Sequence, residues 1–81
     1  MLDENAERQH LASAERAIEA GEARIKAHER LIAHMRSEGH DIAVAESTLI
    51  AMKRTLAAFR NTRDVILESL RRIQGETAPR S

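Results

Sequence analysis

Apolar and small residues recur at alternating steps of three and four along most of the chain, and the phase of that pattern changes once. The first run is Leu11, Ala14, Ile18, Gly21, Ile25, His28, Ile32 and Met35. The second is Ile42, Ala45, Leu49, Met52, Leu56, Phe59, Arg63, Ile66, Leu70 and Ile73. This spacing keeps one stripe on one face of a supercoiled helix. Continuing the first run would select positions 39, 42, 46 and 49, whereas the second uses 42, 45, 49 and 52, so one of its two rows is displaced by a residue. One straight helix would therefore rotate the stripe part of the way onto another face. A turn near Gly39 lets them face each other. The expected fold is all-α: an antiparallel, coiled-coil-like two-helix hairpin spanning residues 1–81 as one domain. Helices are expected over about 4–37 and 42–74, with a turn at 38–41 and a frayed tail at 75–81.

The turn segment reads Glu38-Gly39-His40-Asp41, a cluster that could suggest a catalytic or metal site. Its residues fit a turn better. Gly39 lacks a Cβ and can take the left-handed conformation that ends helices. Asp41 can cap the following helix by accepting from its free N–H groups, and His40 is left at the tip. A metal site needs several converging ligands, which a tight turn with diverging carboxylates does not provide. At the outer ends, Asp3, Glu4 and Glu7 suit a helix N-terminus, and Arg71 and Arg72 a C-terminus, through the helix dipole. Gly75 is the expected stop.

Composition narrows the function classes. The 81 residues include no Cys, Trp or Tyr, and Phe59 is the sole aromatic. Disulfide scaffolds and thiol chemistry are excluded, and aromatic base stacking has almost nothing to work with. Thirteen Lys and Arg balance thirteen Asp and Glu, so no net field draws the chain to nucleic acid or anionic lipid. No apolar run approaches the roughly 20 residues that span a bilayer. The polar, acidic stretch from Met1 to Gln9 is unlike a signal peptide, and a cytoplasmic location is the expectation.

Antiparallel pairing about the turn stacks Met35 on Ile42, Ile32 on Ala45, His28 on Leu49, Ile25 on Met52 and Gly21 on Leu56. It continues through Ile18 with Phe59, Ala14 with Arg63, and Leu11 with Ile66. The two flanks of this seam differ. One carries Glu15, Glu22, Glu29 and Arg36 with Glu46, Lys53 and Arg60, and the expected ion pairs are Glu22–Lys53 and Glu15–Arg60. The other is small and nearly neutral: Ser13, Ala17, Ala20, Ala27 and Leu31 from the first helix, and Val44, Thr48, Ala51, Thr55, Ala58, Thr62, Val65 and Ser69 from the second. Arg24 is its misfit. Two helices alone bury a marginal core, so the expected resolution is a second copy docked on this face as a four-helix bundle.

The remaining polar residues have plainer explanations than chemistry. His28 is expected to pack its ring in the seam and turn a nitrogen outward. Arg63 should lie beside Ala14 and reach towards Glu15 or Glu22. Glu7 and His10 form one Glu-x-x-His, but a di-metal bundle needs two such pairs and two further inward carboxylates. Phosphate-binding loops and nucleophile elbows are missing, so no cofactor and no metal is expected.

The stretch "HLASAERAIEAGEARIKAHERLIAHMRSEGHDIAVAESTLIAMKRTLAAFRNTRDVIL" resembles short bacterial helical-hairpin proteins with a His-Leu-x-x-Ala-Glu-Arg start and a Gly-His-Asp turn. That resemblance implies a helical hairpin and no activity. With Lys53, Arg54, Arg60 and Arg63 clustered on the second helix, a small dimeric hairpin bundle with a basic face resembles, in architecture only, the RNA-binding Rop type, although acids of the first helix lie beside these bases here and the aromatics are missing. The resulting expectation is a non-enzymatic, self-associating interaction module, able to present a surface to a protein partner. A nucleic-acid-binding bundle and a metal-binding bundle are the alternatives.

Overall fold

A computed structural model describes residues 3–77. Two long helices pack against each other, α1 over Glu4–Ser37 and α2 over Ala43–Thr77. Pairs such as Ala14 with Ile66 and Gly21 with Leu56 set them antiparallel. The result is a rod of 66 × 21 × 15 Å.

Both ends of α1 are closed by local chemistry. The Asp3 side chain accepts from the Asn5 N–H at 3.0 Å, which satisfies one of the free donors of the first turn. At the other end the His40 N–H donates to the Met35 carbonyl at 2.9 Å, and the Gly39 N–H to the Arg36 carbonyl at 3.1 Å. These are the two bonds of a Schellman motif, whose C′ residue must be left-handed. Gly39 occupies that position with φ of 76°. The Asp41 Oδ1 then accepts from the Ala43 N–H at 2.9 Å, at the start of α2.

This geometry separates the roles of neighbouring residues. Gly39→Val should destabilise the hairpin by more than about 1 kcal/mol, because a β-branched residue is strained at positive φ whatever space surrounds it. His40→Ala, at an exposed tip, should change stability by less than about 0.5 kcal/mol. Urea melts of the two variants check this, and equal losses would contradict the assigned turn.

The seam follows the heptad pattern. Its buried residues are Ala14, Ile18, Ile25 and Ile32 from α1, with Ala45, Leu56, Ile66, Leu70 and Ile73 from α2. Leu11, Leu49, Met52 and Phe59 pack on them, partly buried. A Cβ built on Gly21 would lie 3.3 Å from Leu56 Cδ1, so the missing side chain is what lets the helices approach there. The core is thin. Its nine residues retain between 5% and 9% of their surface, as two helices with no third layer must.

Several local expectations are corrected. α2 does not stop at Gly75 but runs to Thr77. Gly75 keeps a helical backbone without positive φ; a glycine costs about 1 kcal/mol in a helix but does not by itself end one. The rest of the expected tail, 78–81, lies outside the described residues. Arg71 and Arg72 accordingly sit more than a turn before the helix end, and both pair with Glu68, at 3.0 and 3.6 Å.

The cross-helix ion pairs are Glu22 with Arg60 at 3.8 Å and Arg36 with Glu46 at 3.9 Å, not Glu22 with Lys53 or Glu15 with Arg60. Helical side chains lean towards their own N-terminus. In an antiparallel pair the two sets lean in opposite directions, so Glu22 meets Arg60, further along α2 than Thr55 at its own backbone level. Arg63 is likewise paired with its neighbour Asp64 at 3.1 Å rather than with Glu15 or Glu22.

His28 differs too. Its ring is partly buried, and Nε2 lies 2.9 Å from the Ala45 carbonyl oxygen across the seam. The nitrogen points at the partner helix, not at water. A carbonyl only accepts, so this contact selects the Nε2–H form as donor.

Candidate self-association face

The two flanks of the seam stay distinct in three dimensions. On one, the Glu22–Arg60 and Arg36–Glu46 pairs span the helices with every side chain about half exposed or more. Such pairs contribute little stability in water, and burying them would cost the hydration of each charge. On the other flank lie Ala17, Ala20, Ala27 and Leu31 of α1, facing the same way as Val44, Thr48, Ala51, Thr55, Ala58, Thr62 and Val65 of α2. Ala17 is partly covered by the hairpin itself, and the rest are exposed. Leu31 keeps 47% of its surface, Val65 59% and Val44 81%.

The threonines decide how polar this face is. Thr48 Oγ1 donates to the Val44 carbonyl, Thr55 Oγ1 to the Ala51 carbonyl and Thr62 Oγ1 to the Ala58 carbonyl, each at 3.1 Å. Each hydroxyl is thus satisfied by the carbonyl four residues earlier in its own helix. Covering this surface would strand no hydroxyl proton, so the usual cost of burying a polar group is largely removed. Sequence alone marked the residues as small and neutral; the internal bonds could be suspected from the seven-residue recurrence of threonine but not assigned.

A shallow groove of about 200 Å³ opens on this flank beside Gly21, floored by Met52, Leu56 and Phe59 and edged by Thr48, Ala51 and Thr55. Arg24 stands at its rim. Among the described residues Arg24 has no ion-pair partner.

The turn residues form no reaction centre. Gly39, His40 and Asp41 are all exposed, and Asp41 is engaged with the α2 backbone. Glu7 and His10 do meet, with Oε1 and Nδ1 3.2 Å apart. No three His, Cys, Asp or Glu side chains among the described residues converge as metal ligands would. Among the described residues no helix is long and apolar enough to cross a membrane. Of the basic residues of α2, Arg60 pairs with Glu22, Arg63 with Asp64 and Arg71 with Glu68, whereas Lys53 and Arg54 form no ion pair among the described residues. Comparison with known proteins gives no match to a family model, a curated protein or a solved structure.

Proposed function

We propose that this protein is a non-enzymatic, cytoplasmic interaction module that associates with a second copy of itself through the small-residue flank. The observation that carries this reading is the combination of exposed aliphatic side chains at Leu31, Val44 and Val65 with threonine hydroxyls already bonded within α2. Water gains nothing from such a surface, and covering it releases apolar area at about 25 cal/mol per Å². The thin core gives a reason for the association, since a docked copy supplies the layer that two helices lack. The resulting dimer is a four-helix assembly whose charged flank remains wet and free to meet a protein partner.

Association of this kind links stability to concentration. The melting temperature should rise by several degrees as protein concentration is raised about a hundredfold, because the folded dimer is favoured by mass action. A melting temperature independent of concentration would contradict self-association.

A further inference from the structure

We infer that the groove beside Gly21 binds a small carboxylate with a short apolar body, the body lying on Met52, Leu56 and Phe59 and the carboxylate pairing with Arg24. The groove belongs to a single hairpin, so this inference does not rest on the self-association proposed above. Its floor is apolar. Leu56 is buried beneath it, and Met52 and Phe59 are partly buried. Gly21 adds no side chain to fill the recess.

Charge selects the occupant. Arg24 is the one charged residue lining the groove, and no acid lines it. Arg24 makes no ion pair among the described residues. The Thr48 and Thr55 hydroxyls at the rim already donate to the Val44 and Ala51 carbonyls, which leaves the guanidinium as the donor for an anion. Its planar fork matches a carboxylate with two parallel N–H bonds. Other recesses between the helices lack this combination. Beside Leu11 and Leu67, Arg8 and Arg71 are each held at 3.0 Å by Glu4 and Glu68. Beside Ile32, Arg36 faces Glu46 at 3.9 Å. An apolar cation in the groove beside Gly21 would be repelled by Arg24, and a neutral occupant would leave the guanidinium to water.

Size limits the apolar body. The groove measures about 200 Å³. An apolar cavity of about 150 Å³ holds benzene, so this one suits roughly six to eight carbons. Such a ligand, of about ten heavy atoms, should bind with a Kd on the order of 1 mM.

The test is a titration of the full chain with octanoate, read by NMR. Phe59 carries the sole phenyl ring of the chain, so its ring signals report on the floor directly. Saturable shifts are expected at Phe59 and at the Met52 methyl. Octanoate should bind about fivefold more tightly than octylammonium, and acetate, which has no apolar body, should leave Phe59 unmoved. Arg24 is exposed, so Arg24→Gln removes its charge without entering the core, and it should erase the preference for octanoate. Ala51→Leu, which places a larger side chain at the edge, should weaken octanoate about fivefold by filling the groove. Equal binding of octanoate and octylammonium, a preference that survives Arg24→Gln, or shifts that spare Phe59 would overturn the site. Sedimentation of the same samples reports self-association separately, and a monomer that binds octanoate in this way upholds the site.

Discussion

Leu56→Ala is expected to destabilise the hairpin by about 3 kcal/mol, the largest effect of any single substitution in the seam. Leu56 is the most deeply buried side chain described, at 5% exposure. It packs with Ile18 and Ile25 of α1 and is flanked by Met52 and Phe59. Removing it takes away apolar area and leaves a space beside Gly21, which has no side chain to fill it. Leucine-to-alanine changes in cores cost about 2–5 kcal/mol, with the larger values where the site cannot collapse. Gly21 already brings the helices close here, so little further collapse is available. Denaturant unfolding followed by circular dichroism checks this, and a loss below about 1 kcal/mol would mean that the seam is not the core. Leu67→Ala is the matched control, since Leu67 is exposed and should change stability by under about 1 kcal/mol.

The second large effect concerns association. The double substitution Ala51→Arg with Ala58→Arg should abolish the dimer and lower the melting temperature at a given concentration to that of the isolated hairpin. Both alanines are exposed, so neither change enters the core of the hairpin. Under a second copy docked on this flank each new guanidinium would lose its water with no acid of the flank to meet it. Each such burial costs several kcal/mol, more than a contact between small side chains can offset. Ser47→Arg adds a cation on an exposed part of α2 beside this stripe and should do neither.

The seam was legible in the sequence because a helical core leaves a periodic trace. The buried residues from Ala14 to Ile73, and Leu11, Leu49, Met52 and Phe59 packed on them, all fall at those steps, as does the close approach at Gly21. The turn was legible because its chemistry is local: a residue able to take positive φ at Gly39 and a carboxylate at Asp41, two residues before the first N–H it serves. What escaped the sequence depends on side-chain direction. The lean of helical side chains shifts Glu22 from Lys53 to Arg60, and no spacing rule based on backbone level includes it. The His28 contact with the Ala45 carbonyl needs the rotamer and ring form of one side chain. Gly75 failed as a stop because a glycine ends a helix only when it takes the left-handed conformation, as Gly39 does and Gly75 does not.

The candidate face was only half legible. Its residue types could be read from the two heptad flanks, with Arg24 as the misfit among them. The satisfaction of Thr48, Thr55 and Thr62 within α2 could not, and it is this that makes the face resemble apolar surface rather than a polar one.

Sedimentation equilibrium, run on the wild-type chain and on the Ala51→Arg, Ala58→Arg variant at tens of micromolar, decides whether the small-residue flank holds two copies together. The expected result is a wild-type mass near twice that of the 9.1 kDa chain and a variant that sediments as a folded monomer. A wild-type chain that sediments as a monomer over the whole concentration range, with the same helical content, would contradict it.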